Sequence, residues 1–301
     1  MRFQNQCIEC SKRQGVRIYH LSIQNQGIAS NQDRENRLQR ELDERIDNAD
    51  ACLSPAELSL IAIRTGEKHA QSGDPFREVK RTNNEMALSL YPELKKRLSE
   101  STDSLHLACQ LAACGNIIDL GVHDHFDIHA AMENVLRNGF RRDDYRAFKE
   151  ECSRLHEEKD SPFLLYLCDN AGEIVFDRLL IEELLRLYPR FRIVAVVRRL
   201  PVLNDATMED ARTTGLADIV SVIDNGESEL GTVWEKMGDR LQRFFSEADL
   251  IVSKGQANYE TLHGRPENIY FILKAKCEVI AESLGVELWD AVMARSGASA
   301  L

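Results

Sequence analysis

The chain has 301 residues, 43% of them hydrophobic and 29% charged, so it can bury a full core without disulfide or metal staples. Its formal net charge of −11 argues against nucleic acid as a partner, because phosphate backbones need clustered Lys and Arg. No apolar run reaches membrane-spanning length and the opening MRFQNQCIECSKRQ has no signal-peptide core, so the expected setting is cytoplasmic, away from membranes.

The first half reads as helical. Residues 34–48, RENRLQRELDERIDN, are charged and poor in β-branched residues, which suits an exposed helix with i,i+4 pairs. Ser54-Pro55-Ala56-Glu57 is a helix start: Ser as cap, Pro at the first position, an acid in the first turn. The helix it opens ends at Gly73. NNEMALSLYPELKKRLSES continues the helical pattern past a break expected near Pro92. An apolar stretch runs from Leu105 to Val122, and the polar segment 123–160 again suits helices. Residues 1–160 are therefore expected to form a helical N-terminal domain.

Near Ser161-Pro162 the character changes. Short runs rich in Val, Ile and Leu, at 163–168, 192–198, 218–223, 249–254 and 269–274, alternate with helical patterns. They are apolar throughout, as strands buried on both faces are. Repeated strand–helix units predict a parallel, doubly wound sheet over residues 161–301.

Such sheets bind ligands beyond the carboxyl ends of their strands. Asp169-Asn170-Ala171-Gly172-Glu173 follows the first strand and Arg198 to Asp205 the second. Asp224-Asn225-Gly226, Lys254 to Tyr259 and Lys274 to Cys277 follow the other three. Two carboxylates with a carboxamide make a hard oxygen site for Mg²⁺ or Mn²⁺. Lysines and glycine-rich amides suit phosphate oxygens. Each feature also has a plainer reading: Asp169 as a helix cap, Asp224-Asn225-Gly226 as a turn, the lysines as solvated strand ends. Convergence of four loops on one edge favours a phosphoryl-transfer site.

CDNAGEIVFDRLLIEEL, LPVLNDATMEDA, SKGQANYETL and FILKAKC, with CIEC, DPFREVKRTNNEMALSLYPELK and CGNIIDLGV upstream, resemble the damage-control phosphatase family (domain of unknown function 89), most closely its compact prokaryotic branch with a CxxC segment. The resemblance covers nearly the whole chain. It implies a three-layer α/β/α sandwich preceded by the helical part, and a metal-dependent phosphatase acting on sugar phosphates or damaged phosphometabolites. It also implies a divalent metal (Mn²⁺, Ni²⁺, Co²⁺ or Mg²⁺) held by Asp169, Asn170 and Asp205, with Lys274 on the phosphate. The KGQANY loop, including Lys254, Gly255 and Asn258, is implied to hold the substrate. Where the prokaryotic pattern reads KGQGNYE, this chain has Ala257, a Cβ where a positive φ is expected.

In that reading Lys274 and Lys254 clamp phosphate oxygens, and either Asp169 or a metal-activated water attacks. Glu173 orients the water or simply faces the helix dipole. Asn116 and Asp119, and Arg77, Lys80 and Asn84, are further candidates to face the substrate. The eight cysteines are expected as thiols or metal ligands. Cys7 and Cys10 have zinc-like spacing, with Cys52 or Cys277 to complete a site. His123, His125 and His129 read as surface. Two other classes fit a Rossmann-like sheet: an S-adenosylmethionine-dependent methyltransferase, which the absence of GxGxxG opposes, and a non-catalytic phosphometabolite-binding protein, which the intact ligand set opposes. The oligomeric state stays open.

Overall fold

The chain alternates β2 (Phe163–Leu167), α8 (Glu173–Leu187), β3 (Arg192–Val197), α9 (Met208–Thr213), β4 (Ser221–Asp224), α10 (Asp239–Glu247), β5 (Leu250–Lys254), α11 (Gln256–Leu262), β6 (Ile269–Lys274) and α12 (Glu278–Leu284). The computed structural model describes residues 1–115, 128–226 and 228–297. Among the described residues, these strands with β1 (Arg142–Asp143) and β7 (Ala291–Arg295) form one seven-stranded sheet in the order β1-β7-β6-β5-β2-β3-β4. β2 lies at its interior, parallel to β3 and β5. The five expected strands are all present, the third as Ser221–Asp224 after a single 3₁₀ turn at Leu216–Asp218.

The unbroken apolar runs divide by period two. Leu164 and Tyr166 of β2 join the cluster on one face, and Phe163, Leu165 and Leu167 join the cluster on the other. α8 covers the first face with α4 (Arg77–Glu100), α5 (Ser104–Cys114) and α7 (Tyr145–Glu158). α10, α11 and α12 cover the second. This is a three-layer α/β/α sandwich with a mostly parallel sheet. Residues on both sides of 160/161 share the first cluster, so the change of sequence character there is not a break in packing.

Two strands escape the sequence pattern. β7 (Ala291–Arg295) runs antiparallel to β6, and β1 (Arg142–Asp143) pairs with β7 at the edge. Ahead of α10, a 3₁₀ turn at Trp234–Lys236 lies between Gly231 (φ +77°) and the extended Gly238, so the helical pattern before β5 forms a helix only from Asp239. α4 runs through Pro92 without the expected break.

α1 (Asn5–Asn25), α2 (Gln32–Asp47) and α3 (Pro55–Ala70) build their own cluster from Tyr19, Leu38, Leu42, Ile46 and Leu58. The cap at Ser54 is as expected: its Oγ accepts from the Glu57 amide at 3.2 Å, and its own amide donates to Glu57 Oε2 at 3.0 Å. α1 and α3 cross at Gly15 and Gly66. A Cβ on Gly66 would lie 2.3 Å from the Gly15 carbonyl oxygen, so larger residues would force the helices apart. Ile18, Ala56 and Ile63 then meet Val202 and Leu230, which sets α1 beside the carboxyl edge of the sheet.

Candidate active site

Asp169 and Asn170 leave the carboxyl end of β2, and Asp205 comes from the loop after β3. Backbone hydrogen bonds bring the two segments together. Ala206 N donates to Asp169 O at 2.7 Å, Ala171 N donates to Asn204 O at 2.9 Å, and Asn170 and Asp205 form an antiparallel bridge. The three residues expected as metal ligands are thus neighbours, and each is buried.

Surrounding groups fix their rotamers. Asn170 Nδ2 donates to Asp169 Oδ2 at 2.8 Å and to Glu173 Oε2 at 3.3 Å, which leaves Oδ1 as the atom that Asn170 can offer a cation. Arg198 Nε donates to Asp205 Oδ2 at 2.6 Å, and Arg198 is itself held by the Gly231 carbonyl and by Asn258 Oδ1. Asn84 accepts from the Gly172 amide at 2.6 Å and donates to Asp210 at 2.8 Å, bracing the turn after β2.

Burial first, then the Asp205 and Glu173 carboxylates, push the Asp169 carboxyl well above its usual range. Arg198 and Lys276 oppose that rise only in part, and a divalent cation beside the two carboxylates would oppose it further. Two carboxylate groups and a carboxamide oxygen are a hard donor set that fits Mg²⁺ or Mn²⁺. Among the described residues no three His, Cys, Asp or Glu side chains group to hold a metal by themselves.

Asp169, Asn170 and Asp205 floor a cavity of about 470 Å³. Its walls come from elsewhere: Arg13 and Arg17 of α1, Gln256 and Glu260 of α11, and Lys276 after β6. Lys276 also lies close enough to Asp169 to draw its carboxyl toward the charged form. Sequence reasoning chose Lys274 from FILKAKC. The side chain at this cavity is Lys276, two residues on, whereas Lys274 lines a separate cavity of about 360 Å³ with Arg141, Trp289 and Asp290.

Other expected substrate ligands take different places. Lys254 has no exposed surface. Its Nζ donates to Glu173 Oε1 and Asp177 Oδ1, both at 2.6 Å, and to the Ala112 carbonyl in the last turn of α5 at 2.8 Å. Burial opposes its charge, but the two carboxylates outweigh that and hold its pKa above the ordinary lysine value. Asp177 is raised to about 6 by burial, in spite of Lys254. Glu173 is equally buried and accepts from the Asn170 amide. Asn258 is also fully buried; it donates to the Lys254 and Cys168 carbonyls and accepts from Thr232 and Arg198, tying the floor together.

Gly255 touches the site through the space it leaves empty. Its backbone sits at φ +80°, and a Cβ there would lie 1.9 Å from Asp169 Oδ2. Ala257, where a positive φ was expected, lies within α11 and is not among the positive-φ residues. Lys80 pairs with Asp74 at 2.8 Å, and Arg77 stands exposed 3.9 Å from Glu209. Cys10 and Cys277 line the cavity, Cys7 is buried and Cys52 exposed. Asn116, Asp119, His123 and His125 lie outside the described residues, as does the His129 side chain. No described helix is long and apolar enough to cross a membrane.

Glu260 gives the cavity a pH signature. Burial raises its carboxyl from 4.5 to about 7, with Gln256 and the Met1 ammonium pulling back only in part. The folded state therefore binds more protons than the unfolded state between those values, and stability falls as pH rises through that window. Glu260→Gln should leave stability near pH 4.5 little changed and raise it at pH 8 by on the order of 3 kcal/mol relative to wild type. Urea unfolding at the two pH values checks this, and an equal gap at both would refute it.

A family model described as the damage-control phosphatase ARMT1-like domain matches residues 3–292. A damage-control phosphatase of Archaeoglobus fulgidus is 37% identical over 221 residues, 73% of this chain and 75% of the relative. A damage-control phosphatase of Pyrococcus horikoshii is 31% identical over 288 residues, 95% of each chain. The crystal structure of a DUF89 family protein from Pyrococcus horikoshii matches with a TM-score of 0.85 at 29% identity, covering 98% of this chain and 99% of that one.

Proposed function

This chain belongs to the damage-control phosphatase ARMT1-like family, and on that premise we propose that it is a metal-dependent phosphatase that hydrolyses small phosphorylated metabolites in metabolite repair. The observation that carries the reading is the junction of Asp169, Asn170 and Asp205 on the floor of a cavity whose walls bear Arg13, Arg17 and Lys276.

A divalent cation on that floor supplies Lewis-acid neutralisation of phosphate charge. Asp169, Asn170 and Asp205 would hold that cation. Glu173 keeps the Asn170 amide turned inward. Arg198 keeps Asp205 in a single rotamer and stands out of the substrate's reach, 4% exposed. Lys276 adds a positive charge beside Asp169, where it can offset the charge of phosphate oxygens. The floor is buried, so these interactions act in a low dielectric where they are strongest.

The test is phosphate release from p-nitrophenyl phosphate and a panel of sugar phosphates. It uses metal-stripped protein with Mn²⁺, Ni²⁺, Co²⁺ or Mg²⁺ added back. The expected result is release that depends on added metal. Folded, metal-loaded protein that releases nothing would move the reading to phosphometabolite binding or methyl transfer.

A further inference from the structure

We propose that Arg13 and Arg17 form a second anion site in the cavity, so that the substrate is a phosphomonoester bearing another acidic group, a carboxylate or a second phosphate, away from the bond that is cleaved. This rests on the phosphatase reading and names its substrate class.

α1 carries two stripes of side chains. Cys7, Ser11, Gly15, Ile18 and Ser22 are buried against the neighbouring helices. Cys10, Arg13, Gln14 and Arg17, spaced i, i+3, i+4, i+7, face the cavity. The cations on this helix have different fates. Lys12 is neutralised by Asp43 at 2.9 Å and Asp47 at 2.8 Å. Among the described residues no carboxylate lies within ion-pair distance of Arg13 or Arg17, in a chain with 49 acidic residues against 38 basic ones. Two arginines one helical turn apart, both lining the same cavity, can together take a planar or tetrahedral anion.

The floor already accounts for one phosphate. Asp169 and Asp205, with the cation they fit and Lys276, are a complete phosphoryl site without α1. The cavity, at about 470 Å³, is also far larger than a phosphate group. A monoester with no second charge would leave the arginine wall facing neutral atoms. A ligand with an acidic group at each end matches floor and wall together.

The experiment compares two matched pairs that differ only in the second acidic group: ethyl phosphate with 2-phosphoglycolate, and fructose 6-phosphate with fructose 1,6-bisphosphate. Wild type should cleave the more acidic member of at least one pair with the higher kcat/KM, mainly through KM. The pair that shows it tells carboxylate from phosphate. Arg13→Ala/Arg17→Ala should lose at least about tenfold of that preference, and Arg13→Lys/Arg17→Lys should keep part of it. No preference in wild type, or a preference intact in the double alanine variant, would overturn the proposal. If no ester is cleaved, the phosphatase reading fails and calorimetry decides the anion site separately. Binding of 2-phosphoglycolate over ethyl phosphate that the double alanine variant loses supports it. Equal binding by both proteins, or none by wild type, overturns it.

Discussion

Gly255→Ala should lower phosphate release by about a hundredfold, although it removes no functional group. The added Cβ would fall 1.9 Å from Asp169 Oδ2 and 2.1 Å from its Cγ, well inside any allowed contact. The backbone there, φ +80° and ψ 165°, belongs to a region that only glycine occupies readily. Asp169 and the start of α11 must therefore both shift. A displacement of about 1 Å in a catalytic group is enough for a loss of that size. Gly264→Ala is the control: it has the same sign of φ, +85°, but nothing within 4 Å of the added atom. It should cost some stability and keep activity. Equal activities for the two variants, both folded by circular dichroism, would show that Asp169 does not need the space Gly255 leaves.

Lys254→Met should destabilise the protein by about 3–5 kcal/mol, the cost of stripping the cation from a buried ion pair. Glu173 and Asp177 would then face each other without compensation, and Asp177 Oδ2 already lacks a hydrogen-bond partner. The Ala112 carbonyl would lose the charge that caps the last turn of α5. The thermal midpoint should fall by roughly 10 °C. Adding Glu173→Gln should recover part of the loss, because it removes one of the orphaned charges. A Lys254→Met protein with wild-type stability and a raised KM would show instead that Lys254 reaches the substrate.

These two residues mark where the sequence could and could not be read. The strands were legible because a sheet covered on both faces demands uninterrupted Val, Ile and Leu. The meeting of Asp169, Asn170 and Asp205 was legible because they follow strand ends and sit in segments that resemble a known family. Lys254 was not legible, because a lysine at a strand end reads the same whether it meets phosphate or a buried carboxylate; burial by α5 and α8 decides, and it is a tertiary property. Lys276 and Lys274 differ by two residues, and only the path after β6 separates their cavities. Arg13 and Arg17 were invisible for a different reason. No strand end or loop of the sheet lies near them in sequence, and they reach the cavity on α1, which Gly15 and Gly66 let lie tightly on α3. β7 was missed because Ala291–Arg295 is short and follows a polar turn.

The two stripes of α1 separate what this scaffold must keep from what it is free to change. Residues 7, 11, 15, 18 and 22 are locked by helix packing, and any divergence there carries a folding penalty. Residues 10, 13, 14 and 17 line the cavity and lie outside that packed stripe, so a lineage can exchange them at a smaller cost to folding and drift to new metabolites. The chemistry on the sheet edge stays untouched meanwhile. A single helix, remote in sequence from the reacting groups, thus provides an evolutionary dial for selectivity.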